Sequence, residues 1–129
     1  GLDPEERLRF HNLISDTGGE KTIVILSTHI VSDVSHLCTR MAIIRQGKIV
    51  TTCTPRYAVD ELKESVWEGT VPRDHLSAFK SQFNVISSRT FDGQANVRVI
   101  SKGQRPTEGF TQTAAVLEDY YFDLVNRQD

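Results

Sequence analysis

Four consecutive apolar residues, Ile23-Val24-Ile25-Leu26, are followed by Ser27-Thr28-His29 and then by a helical pattern. Three of the four are β-branched. The run does not alternate, which predicts a strand buried on both faces, as in a parallel sheet. A titratable side chain at the carboxyl end of such a strand sits where open α/β sheets bind their ligands. His29 is therefore the first candidate site residue.

Upstream, Asp3-Pro4-Glu5-Glu6 predicts a helix start. Asp3 suits the N-cap, Pro4 the first helical position and Glu6 the third, where a carboxylate closes a capping box. The helix carries Phe10, Leu13 and Ile14 as an apolar stripe and ends at Gly18-Gly19. After His29, residues Ile30, Val34 and Leu37 share a helix face, with Asp33 in the first turn. Met41 to Ile44 and Lys48 to Thr52 flank Gln46-Gly47 and predict a hairpin. Thr54-Pro55 then opens a helix through Leu62. The order helix, strand, helix, strand, strand, helix is the tail end of an α/β domain.

The pattern changes after Lys63. Val66 to Val71 suits a short strand, and Pro72 to Phe83 a helix with Leu76, Phe79 and Phe83 on one side. Val85 to Phe91 and Ala95 to Ile100 flank Asp92-Gly93 as a second hairpin. Lys102 to Gln112 is polar, contains Gly, Pro and Thr, and is expected to be a mobile loop. Ala114 to Val125 closes the chain as an amphipathic helix with Leu117, Tyr121, Leu124 and Val125. This is a small α+β unit.

The chain has 129 residues, a formal net charge of −2 and two cysteines. Such a balance gives no electrostatic case for nucleic-acid binding. No apolar run approaches the ~20 residues that span a bilayer. Cys38 and Cys53 are too few for a disulfide framework and read as thiols of a reducing compartment. The start at Gly1, in a loop leading into a helix, fits a fragment of a larger protein.

The first half resembles the C-terminal part of an ABC-type ATPase. Gly1-Leu2-Asp3-Pro4 matches that family's D-loop, and Ser27-Thr28-His29 its switch-histidine loop. Arg40-Met41-Ala42-Ile43-Ile44-Arg45-Gln46-Gly47-Lys48-Ile49-Val50 resembles the closing hairpin. Thr54-Pro55 is similar to the family's glycine-threonine-proline, with Cys53 at the glycine position. Leu117-Glu118-Asp119-Tyr120-Tyr121-Phe122 resembles the terminal helix of cassettes that energise exporters. A glycine-rich phosphate loop with its lysine, an LSGGQ-like signature and a Walker B carboxylate pair do not occur in the sequence.

The fold implied is α/β: the C-terminal piece of a P-loop NTPase-type cassette sheet over residues 1–57, followed by a small α+β domain. The domains expected are 1–63, holding the D-loop, switch-histidine loop and closing hairpin, and an accessory domain over 64–129. The resemblance implies that His29 contacts the γ-phosphate of ATP in the parent protein, where catalysis is mostly positioning and charge stabilisation. It also implies that Leu2 and Asp3 contact a second ATPase subunit across a dimer interface. ATP and Mg²⁺ are the cofactors of the parent. The fragment alone, lacking the phosphate-binding nest and the Mg²⁺-holding carboxylates, is expected neither to bind nor to hydrolyse ATP. An integral-membrane permease is the implied partner, and the cytoplasmic face of the cell membrane the implied location. The open edge of the apolar strand predicts self-association of the fragment.

Plainer readings stand beside these. Asp3 is fully explained as an N-cap, and both roles are compatible. His11, His36, Cys38 and Cys53 lack metal-ligand spacing and read as surface histidines and small buried thiols, so no metal site is assigned. Trp67, Phe79, Phe83, Tyr120, Tyr121 and Phe122 suit the core of a small domain. Asp33, Asp60 and Glu61 are charges favoured by helix starts. A soluble ABC-type ATPase without a permease, and a free-standing binding or dimerisation module in 64–129, are the alternative functions.

Overall fold

The computed structural model describes residues 3–17 and 21–128. Leu2, named above with the D-loop, and the Gly18-Gly19 helix stop lie outside the described residues. In chain order the elements are α1 (Pro4–Thr17), α2 (Val31–Leu37), β1 (Met41–Arg45), β2 (Lys48–Cys53), α3 (Pro55–Glu61), β3 (Val66–Pro72), a 3₁₀ turn (Arg73–His75), α4 (Leu76–Gln82), β4 (Asn84–Phe91), β5 (Gln94–Ile100), β6 (Thr111–Gln112) and α5 (Leu117–Gln128). The chain separates into two units, one running to Pro55 and one from Arg56 onward. The division falls at the start of α3 rather than after it.

In the first unit, α1 opens with the capping box that the sequence predicts. The Glu6 N–H donates to Asp3 Oδ1 at 2.8 Å, and the Arg7 N–H donates to the Asp3 carbonyl at 2.9 Å. The half-buried side of α1 is Arg7, Phe10, His11 and Ile14, while Leu13 is 64% exposed. The expected stripe is thus rotated, and two basic residues replace Leu13 in it. The hairpin β1–β2 forms as expected. Gln46 and Gly47 have φ of 52° and 75°, the pair of positive values that a two-residue turn matched to strand twist requires.

The expected strand over residues 22–26 is not formed. Residues 22–28 carry no regular structure, and Ile23 and Ile25 are 90% and 91% exposed. A strand is completed by hydrogen bonds to neighbours, and no described strand lies alongside this segment to receive them. Among the described residues, the only sheet of the first unit is therefore the two-stranded β1–β2 pair. Among the described residues to Pro55, the one buried residue is Asp33, so this unit has a polar centre in place of an apolar one.

The second unit has a conventional core. Its antiparallel sheet has four strands in the order β4-β5-β3-β6. Asp92 and Gly93, with φ of 55° and 76°, turn β4 into β5. Alternation along β5 puts Ala95, Val97 and Val99 on one face, where Leu76 and Phe79 of α4 and Phe83 just after it pack against them with Val71 and Phe110. Arg98 points to the other face and meets α5. The extra residue of a bulge in β4, Ile86, is buried.

The segment read as a mobile loop is anchored. Phe110 is 2% exposed, lies stacked on Phe79 at a ring distance of 5.4 Å, and is followed directly by β6. Gly69 makes room for it, since a Cβ there meets the Phe110 ring at 2.6 Å. A glycine inside a strand often marks such a close approach. The terminal helix begins at Leu117, three residues later than expected from Ala114.

Candidate functional site

The two motif-bearing segments each lead into a helix. Asp3 stands exposed at the start of α1, its carboxylate occupied by the cap. His29 stands exposed in a bend before α2, where Thr28 Oγ accepts the Ile30 N–H at 3.0 Å and fixes the turn. Among the described residues no hydrogen bond joins Asp3 to His29.

What the structure does bring together lies one helical turn beyond each. Asp33, 5% exposed, sits in the first turn of α2. Its Oδ1 accepts hydrogen bonds from Arg7 Nη2 and from His11 Nε2, the latter at 2.9 Å, both from α1. The His11 ring stacks on that of His36 at 5.9 Å, and His36 Nδ1 donates to the Ser32 carbonyl at 2.6 Å. Burial pushes the Asp33 carboxyl up. The His11 hydrogen bond and the Arg7 charge outweigh it and hold the group below its usual value. Burial and then the Asp33 charge push the Cys38 thiol up, which disfavours the thiolate a nucleophile needs.

This cluster corrects two plain readings. Asp33 is more than a charge at a helix start, and His11 is turned inward rather than out to solvent. The signal in the sequence is the spacing of Arg7 and His11, four apart on the same side of α1 as Phe10 and Ile14. The spacing alone does not supply the partner, which lies 26 and 22 residues away.

Among the described residues no three His, Cys, Asp or Glu side chains converge to hold a metal ion.

In the second unit, Asp119 is 2% exposed and fully paired. Arg98 donates from Nε and Nη2 to its two oxygens at 2.8 and 2.7 Å, and the Val116 N–H donates to Oδ2 at 2.9 Å. Arg98 also reaches the Ala114 carbonyl at 3.2 Å and lies 3.7 Å from Glu68. The acidic residue of the Leu117-Glu118-Asp119 run thus fastens α5 to β5, a structural task.

Weak sequence likeness relates the chain to ABC transporter ATP-binding proteins. Over 138 aligned positions covering 99% of the chain, it is 29% identical to the Nod factor export ATP-binding protein I of Burkholderia pseudomallei, strains 1710b and K96243. Over 76 residues, 59% of the chain, it is 30% identical to ABC transporter A family member 11 of Dictyostelium discoideum. The chain spans 45% of the length of the first relative and 9% of the second. No family model matches. Among the described residues no helix is long and apolar enough to cross a membrane.

Proposed function

We propose that this chain is the C-terminal part of the ATP-binding subunit of an ABC transporter of the exporter kind. The whole protein hydrolyses ATP as a dimer and drives transport through a separate membrane-embedded permease, at the cytoplasmic face of the cell membrane. His29 is the switch histidine, a donor to the γ-phosphate. Leu2 and Asp3 belong to the D-loop and face the second subunit. Residues 64–129 form an accessory domain. The chain by itself neither binds nor hydrolyses ATP. The observation that carries this reading is the likeness, over almost the whole chain, to an export ATP-binding protein. The exposure of His29 in the bend that opens α2 supports it, since a residue that meets a nucleotide must be free to reach it.

The test is ATP turnover of the full parent protein, wild type beside His29→Ala. A loss of about 10²-fold is expected for a contact made to charge developing in the transition state. Equal turnover in the two refutes the assignment. A second reading, a free-standing binding or dimerisation module, is favoured by the self-contained core of the second unit. It requires that residues 64–129 fold alone and engage a partner without the rest.

A further inference from the structure

Building on the cassette reading above, we propose that Asp33 is a positioning residue, holding the helix that begins at Asp3 in register with the helix that begins after His29. Arg7 lies four residues beyond Asp3, and Asp33 four beyond His29. The Asp33–Arg7–His11 junction thus joins the first turn of α2 to the first turns of α1. Within α2, the Asp33 N–H donates to the Ile30 carbonyl at 3.1 Å, next to His29 itself. Within α1, the Arg7 N–H donates to the Asp3 carbonyl. A displacement at either helix start is therefore passed to the other through one carboxylate oxygen.

The two helices also meet at the His11–His36 ring stack, 5.9 Å between centroids, a contact without the directionality of a hydrogen bond. Asp33 is the one buried residue of this unit among the described residues, and Leu8 and Leu13 of α1 are exposed. An apolar contact tolerates sliding, because it has no directional requirement. Two donors from one helix converging on one oxygen do not, because hydrogen bonds weaken steeply off axis. The surrounding titratable groups are Arg7 and His11 on α1, His36 on α2 and Cys38 just beyond it.

The experiment uses the intact ATPase that carries this chain, as wild type, Asp33→Asn, the exchanged pair Arg7→Asp with Asp33→Arg, and His29→Ala. Misplacement of a reacting group by about 1 Å costs on the order of 10²-fold. Asp33→Asn is expected to lose kcat on that scale with KM for ATP unchanged, and the exchanged pair to regain part of it. Wild-type kcat in Asp33→Asn overturns the positioning role. A loss that raises KM in step and is not recovered by the exchange also overturns it, because that is general damage. His29→Ala separates the two claims. If it is inactive while Asp33→Asn is normal, the cassette reading survives and the positioning role falls; if it is fully active, the cassette reading itself falls. Should Asp33→Asn fail to fold, His11→Ala removes one of the two donors. Loss of kcat in His11→Ala that His11→Gln, which still donates, does not restore then overturns the proposal.

Discussion

Replacing Gly69 with alanine drives a methyl carbon into the Phe110 ring. The nearest ring atoms lie 2.6, 2.6 and 2.7 Å from the added carbon. Carbon atoms sit comfortably at ~3.5–4.0 Å, so the ring must retreat by about 1 Å. It has nowhere to go: Phe110 is 2% exposed and stacked on Phe79, which itself lies 4.6 Å from the Phe83 ring. Overpacking of this kind costs about 1–3 kcal/mol, and removing the ring by Phe110→Ala costs ~3–5 kcal/mol. The two costs are not independent. In a Phe110→Ala background the added methyl fills space the ring has left, so Gly69→Ala should cost almost nothing there. The assay is urea unfolding followed by Trp67 fluorescence. This is the sole tryptophan, half-buried against the same core, with its indole N–H donated to the Ser101 carbonyl at 2.9 Å. A double-mutant cycle yields the coupling. Equal costs in the two backgrounds would refute the close approach as the reason for the glycine.

Arg98→Met should destabilise the second unit by about 3–5 kcal/mol, since it leaves the buried Asp119 carboxylate without its cation; denaturant midpoints check this. The junction at Asp33 should be sensitive to acid. The carboxyl lies below its usual value in the folded chain, so its contribution is complete above the unfolded value and is lost as pH falls through the folded one. Proteolysis or amide exchange of α1 and α2 along an acid titration should therefore show the pair loosening below the ordinary carboxylate range. The same titration of Arg7→Gln should show a shallower dependence.

Both hairpins are legible in the sequence because their turns are local. Gln46-Gly47 and Asp92-Gly93 meet a backbone demand that side chains a few residues away do not alter. The α1 cap is local in the same sense, spanning Asp3 to Glu6. Ile23 to Leu26 fails as a strand because composition gives a tendency to pair and says nothing of whether a partner is alongside. Phe110 is hard to read for a related reason. It is one aromatic in a polar run, and only the unexplained Gly69, forty-one positions earlier, hints that something presses on β3. Of the candidate site, His29 and Asp3 are proposed from motif order alone. Asp33 is not, because its task depends on which way α1 is turned. That turn brings Arg7 and His11 in beside Phe10 and Ile14 and leaves Leu13 of the expected stripe exposed.

The edges of the sheet in the second unit have a further consequence. A bare strand edge is a template for another chain, and this sheet blunts both of its own. On one side, β4 is broken by the bulge around Ile86 and carries Arg89; on the other, β6 is only Thr111–Gln112. Thr22 to Leu26 has no such protection, being uncharged, β-branched and free of proline, the composition that stacks into fibrils when left exposed. In a preparation of this chain, fibril growth should therefore nucleate in the first unit and spare the second. A single lysine at Ile25, gatekeeping that stretch, is then the smallest change that should keep it dispersed.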